Sequence, residues 1–373
     1  MAVEDAPSAS PPPTEVEAED TGAELMERPF NPAEIRIDYK PLTVDLLAKR
    51  LGAEGIDLAP AFQRQAGLWR GKAQSRLIES MMIRIPIPAF YLDATNDERW
   101  LVVDGLQRLT AISRFMVKKE LKLQELEFLD LNGKGWDDLP RPLQRRIEET
   151  QVVTYLIQPG TPPEVKFNIF KRINTGGLPL SPQEIRHAIN QGPAATLLAE
   201  LADSDEFKEA TAGGIRDERM TDRECVLRFF AFTMSPPDEY KSQDLDTFLN
   251  NQMRALNQMS PERRTQLTSS FRTGMTRAVE VFGNDAFRKR YSADAGRKPI
   301  NKALFETWSV NLAALDGRKA RLLVERADSI RMGFIHLMGD REFERSVTAG
   351  TGDARTVIER FLRVKKLLNG VLS

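Results

Sequence analysis

Trp100-Leu-Val-Val-Asp-Gly-Leu-Gln-Arg-Leu-Thr-Ala-Ile-Ser-Arg-Phe115 changes period in its middle. Trp100 to Val103 are aromatic or β-branched apart from one Leu, the composition of a short buried strand, while Leu109, Ile112 and Phe115 recur at helical spacing. The break falls at Asp104-Gly105, so the stretch predicts a strand that turns sharply into a helix. Gly105 supplies the backbone freedom of the turn, and the free N–H groups of the new helix make the space over it suitable for an anion. Arg108, one turn into the helix, has a guanidinium fork that fits a phosphate. Gln107 is placed to orient a water or a ribose hydroxyl, and Asp104 to hold a magnesium ion or a hydroxyl. A plain turn offers a second account, in which Asp104 caps the helix and Arg108 pairs with a surface carboxylate.

Upstream, Pro60-Ala-Phe-Gln-Arg64 puts Gln63 and Arg64 on a loop before a helix marked by Trp69, Ala73, Leu77 and Met81. Ile85-Pro-Ile-Pro88 excludes helix and leads into a strand at Phe90 to Leu92, which Asn96-Asp97 turns back into the Trp100 strand as an antiparallel neighbour. Thr43 is placed to cap a short helix that Gly52 ends. Downstream, Leu126 to Leu131 and Val152 to Ile157 read as strands, with a helix over Leu143 to Glu149 between them. Capping-box spacing occurs at Thr161–Glu164, Ser181–Glu184 and Thr221–Glu224. The helix opened at Thr161 ends at Asn174-Thr-Gly-Gly177, a turn that brings Arg172 and Asn174 to a loop. Beyond Ile157 the periodicity is helical.

The chain of 373 residues, 41% hydrophobic, suits two globular units. Its formal charge of −1 conceals an asymmetry. Residues 1–29 hold eight acidic residues and Arg28 alone on the basic side, so the remaining 52 basic and 46 acidic residues carry +6. That excess permits contact with nucleic acid. The acidic, proline-bearing segment 1–30 reads as a disordered tail, 31–195 as an α+β domain and 196–373 as an α-helical domain.

Other chemistries thin out on counting. Cys225 is the single cysteine and the two histidines are His187 and His336, too few for thiolate zinc or histidine-rich metal sites. No Gly-Lys-Ser/Thr occurs, so a Walker phosphate loop is absent. With no secretory signal and no apolar run long enough to span a bilayer, a cytoplasmic location is the simplest expectation.

Ala61-Phe-Gln-Arg64 followed by Trp69, Leu77-Ile-Glu-Ser80, Ile85-Pro-Ile-Pro88, Val103-Asp-Gly-Leu-Gln-Arg-Leu-Thr110 and Phe170-Lys-Arg-Ile-Asn-Thr-Gly-Gly177 together resemble, in order and spacing, the amino-terminal domain of GmrSD-type restriction systems. The resemblance spans about residues 40–235, and Asn301-Lys-Ala-Leu-Phe305 looks like the family's downstream part. It implies a ParB/sulfiredoxin-like fold and a role in defence against phage DNA. It also implies a nucleotide role for Asp104, Gly105, Gln107 and Arg108, supported by Gln63, Arg64, Arg172 and Asn174, and with a metal at Asp104 the leading expectation is a nucleoside triphosphate bound with Mg2+. Leu106 stands where that motif has a Gln, which moves the expectation from hydrolysis towards binding. The histidines of the family's His-Asn-His nuclease domain are lacking, so DNA cleavage would come from a partner nuclease or from the first half. Two alternatives follow: a non-catalytic DNA-binding or scaffold module working with a separate nuclease, and a magnesium-dependent nuclease.

Overall fold

The computed structural model describes residues 15–21, 35–58, 69, 71–173, 180–241 and 244–373. The chain divides into two compact units, one of residues 28–191 and the other of residues 1–27 with 192–373.

The 28–191 unit contains β1 (Ile37–Thr43), α1 (Val44–Gly52), β2 (Ile56–Asp57), α2 (Gly71–Met82), β3 (Phe90–Asp93), β4 (Trp100–Asp104), α3 (Leu106–Ile112), α4 (Arg141–Glu149), β5 (Gln151–Ile157), α5 (Pro163–Ile173) and α6 (Pro182–Ile189). Its strands form one mixed sheet in the order β1-β5-β3-β4-β2. β3 pairs antiparallel with β4 and parallel with β5. On one side, alternate strand residues Phe90, Leu92, Val102, Val152 and Leu156 join Val44, Leu47, Ile78, Met81, Leu109 and Ile147 of the helices in a single core. α5 packs against β4 and α6.

Local chemistry accounts for these elements. The Thr43 hydroxyl accepts the Leu46 N–H at 3.3 Å and starts α1, which buries Val44, Leu47, Ala48 and Leu51 along one stripe. Ser181 and Glu184 complete a reciprocal capping box. The other two threonines stand differently. Thr161 uses its hydroxyl on the Arg36 backbone, tying α5 to the start of β1, and the helix at Thr221 starts from Met220 without a side-chain cap.

Leu126–Leu131, expected as a strand, is irregular. The N–H groups of Glu127, Phe128 and Leu129 all donate to the buried Glu79 carboxylate, at 2.8–2.9 Å. A carboxylate that gathers three successive amides bends the backbone into a loop around itself, and none of the three remains for a ladder.

The second unit has α7 (Pro193–Ala202), α8 (Asp205–Thr211), α9 (Thr221–Met234), α10 (Leu245–Gln258), α11 (Pro261–Phe282), α12 (Lys302–Ala313), α13 (Gly317–Glu325), α14 (Ala327–Met338), α15 (Arg341–Ser346) and α16 (Ala354–Val371). α11, α12 and α9 surround a core rich in phenylalanine, with Trp308 among its largest fully buried side chains. The expectation of a wholly disordered acidic tail fails for residues 15–21. They lie extended against this unit, with Val16 bridged to Ile300 and packed on the core. Cations distant in sequence neutralise their carboxylates. Among the described residues no helix is long and apolar enough to cross a membrane.

Candidate functional site

β4 delivers Asp104 to the end of the sheet, and Gly105 follows at φ 103° and ψ 10°, in the left-handed region. Gly105 serves as the N-cap of α3 without a side-chain cap, so Asp104 does not cap the helix. A Cβ on Gly105 would fall 2.5 Å from Phe90 Cδ1 and 3.4 Å from an Arg108 nitrogen. Glycine is thus required twice, by the backbone angle and by the closeness of the first helical turn to β3.

Arg108 is folded back into that crowded corner. Its Nη1 donates to the Ala89 carbonyl at 3.0 Å and its Nη2 to Asp104 Oδ2 at 2.6 Å, while its guanidinium carbon sits 5.0 Å from the centre of the Phe90 ring. The Arg108 side chain is 9% exposed and that of Asp104 19%. Burial pulls the Arg108 guanidinium below its ordinary pKa, and Asp104 opposes the shift. The surface ion pair expected of a plain capped turn is replaced by a largely buried pair inside the motif itself.

Gln107 faces elsewhere: its Oε1 accepts the Trp69 N–H at 2.9 Å, so the amide anchors the chain just before α2. Leu106 is buried in the core. Arg172 is exposed in the last turn of α5, and no hydrogen bond of Asp104 or Arg108 among the described residues reaches it. Gln63, Arg64 and Asn174 lie outside the described residues. Asp104, Gly105 and Arg108 are therefore brought together, and Gln107 is beside them with a holding role.

Sequence reading missed the tyrosines. Sheet register sets Tyr39 opposite Tyr155, Tyr155 opposite Tyr91, and Tyr91 opposite Asp104 across four strands. Tyr91 and Tyr155 stack with ring centres 4.8 Å apart, and Tyr39 meets Tyr155 edge-on at 5.9 Å. Burial raises the Tyr91 hydroxyl above its ordinary pKa, and Tyr155 and Asp104 push the same way. This row was hidden because each tyrosine sits in a different segment, and pairing register is not written in any one of them. Phe90 and the Ala89 carbonyl, which hold Arg108, were equally out of reach.

Chemically, the corner offers one carboxylate, one guanidinium and an aromatic row. Among the described residues no group of three or more His, Cys, Asp or Glu could hold a metal by itself. Asp104 therefore suits Mg2+ only if phosphate oxygens and water complete the shell, which is the usual arrangement for that ion. Cys225 is buried and its thiol is pushed up by desolvation, which makes it a poor nucleophile.

Residues 45–190 match the family model of the GmrSD restriction endonuclease N-terminal domain. The matched span lies within the sheet-bearing unit. Over that span the chain is similar to the restriction-system domain the family model describes. No curated protein and no solved structure matches the chain.

Proposed function

We propose that the GmrSD-type domain binds a magnesium–nucleoside triphosphate at the Asp104 turn, as the nucleotide-sensing part of a restriction system directed at DNA. The observation that carries this reading is the Asp104–Arg108 pair, a carboxylate and a guanidinium set 2.6 Å apart beside a left-handed glycine at a strand end. A metal-bound phosphate presents the complementary charges, cation to Asp104 and anion to Arg108. Arg108 would keep its place during the exchange, because the Ala89 carbonyl and the Phe90 ring hold it independently of Asp104. The tyrosine row next to Asp104 adds flat surface of the kind on which nucleobases stack.

Leu106 in the core, and the Gln107 Oε1 taken up by the Trp69 N–H, favour binding over turnover. The domain then reports nucleotide state to a separate nuclease rather than cutting DNA. Gln63, Arg64, Arg172 and Asn174 remain the candidates for further phosphate contacts.

Calorimetric titration of the four magnesium–nucleoside triphosphates into the wild-type chain and Arg108→Ala tests the assignment, with circular dichroism to show that both are folded. The wild type is expected to bind at least one of them and Arg108→Ala none. Equal binding by both, or by neither, would sink it. A gel-shift series at rising salt examines the DNA arm, where phosphate contacts predict a steep loss of affinity.

A further inference from the structure

Glu15, Glu17 and Glu19 enter the helical unit side by side from one extended segment. Glu15 Oε2 lies 3.2 Å from Arg288 and 3.4 Å from Arg297. Glu17 accepts from Lys289 at 2.7 Å and from Asn301 at 3.1 Å. Glu19 receives both arms of the Arg228 fork, at 2.9 and 2.6 Å, and the Thr351 hydroxyl at 2.7 Å. Backbone pairing accompanies the charges: Glu17 donates to the Ile300 carbonyl and Ile300 to the Glu15 carbonyl, each at 2.8 Å, while Thr351 and Gly352 donate to Asp20 and Thr21. The pattern is that of strand addition, here through an isolated parallel bridge, in which main-chain hydrogen bonds hold the peptide and alternate side chains meet their partners.

The sockets are built without the segment. Arg228 is also held by Glu224 at 3.0 Å and Glu306 at 3.2 Å, and Arg360 pairs with the same Glu306. Arg288 donates to the Lys298 and Thr211 carbonyls, Lys289 to the Thr348 hydroxyl, and Asn301 to the Val347 carbonyl. Each of these groups therefore has a second partner inside the helical unit that keeps it aimed. Around Glu19, the ion pairs of the cations Arg228, Arg360 and Lys302 with the helices run, among the described residues, to Glu224 and Glu306, one negative charge short. A vacant groove would be preorganised and positively charged, the condition for tight capture of an anionic peptide.

We propose that this groove of the helical unit is a binding site for an extended peptide with glutamates at every second position, and that residues 15–21 are its exchangeable occupant in cis. The partner implied is a protein segment with the Glu-x-Glu-x-Glu pattern. Backbone pairing with Ile300 and the packing of Val16 on the helical core select a polypeptide over a nucleic acid. The inference stands independently of the nucleotide reading.

The test uses the full chain carrying E15K/E17K/E19K, whose reversed charges expel its own segment, and a fluorescent peptide of residues 13–23 in the wild-type sequence. Anisotropy should show the variant binding the peptide at least tenfold more tightly than the wild-type chain does. A peptide with the three glutamates changed to glutamine should not bind. A folded variant that binds no better than the wild type overturns the proposal. If the variant fails to fold, hydrogen exchange on the wild-type chain decides. The Glu17 and Ile300 amides should exchange at least a hundredfold faster than the core amides of α9 and α12, and exchange together with that core would show a permanent staple instead.

Discussion

Arg108 Nη2 donates to Asp104 Oδ2 at 2.6 Å within one strand-turn-helix motif, and the same guanidinium also reaches the Ala89 carbonyl at 3.0 Å. The pair is largely out of water, so removing one partner leaves the other charge poorly compensated. Breaking a fully buried pair costs about 3–5 kcal/mol. Because solvent still reaches part of Asp104, we expect about 2 kcal/mol for Asp104→Asn. Arg108→Met should cost a similar amount, and the double variant clearly less than the sum of the two. Urea unfolding of the four proteins checks this, and strict additivity would mean that the pair is not coupled.

The Gly105 turn makes a sharper prediction because two penalties coincide there. Alanine at φ 103° is strained, and its Cβ would lie 2.5 Å from the Phe90 ring. The expected loss for Gly105→Ala is about 3 kcal/mol, from left-handed strain plus overpacking. Gly133, at φ 80° with nothing within 4 Å of where a Cβ would stand, isolates the conformational part. Gly133→Ala should cost about 1 kcal/mol. Similar losses at both positions, measured by denaturant unfolding, would show that contact with Phe90 contributes nothing.

The Asp104 turn was legible because period, glycine and charge all change within a few neighbouring residues. β1 was not, since Ile37 to Thr43 forms an edge strand with little burial and Pro41 inside it, which leaves no apolar alternation to read. The same limit applies to Glu79, whose partners lie about 50 residues away, and to the acidic segment, whose counter-charges lie more than 200 residues away. Within the candidate site, residue types pointed to Asp104, Gly105 and Arg108. The place of Gln107 and the tyrosine row depended on tertiary contacts that no local pattern carries.

Glu79 gives a prediction about the loop that replaced the expected strand. Burial works against its charge, but the N–H groups of Glu127, Phe128 and Leu129 prevail and hold its carboxyl below the usual range. A depressed carboxyl contributes stability above its unfolded pKa and loses it as pH falls through the lower folded value. Glu79→Gln turns one oxygen into an amide nitrogen facing a backbone donor, for about 2 kcal/mol. The 127–129 amides should lose hydrogen-exchange protection in the variant at pH 7. Unchanged protection would mean that the loop is held by other contacts.

Asp222 carries the opposite sign. It is buried in the first turn of α9, and desolvation raises its carboxyl to about 6, with Asp217 adding to the shift and the Arg223 N–H, 2.7 Å away, opposing it. A raised acid favours the folded state while protonated, so its contribution is complete below the unfolded value near 4 and is lost as pH rises through about 6. The whole excursion is worth up to about 3 kcal/mol. Asp222→Asn keeps the shape and cannot ionise, so it should be more stable than the wild type at pH 7.5, by an amount that shrinks as pH is lowered to 4.5. Thermal unfolding of both proteins at three pH values across that interval measures the gap. A difference that stays constant with pH would show that Asp222 is already ionised throughout the range, its charge satisfied by the helix amides.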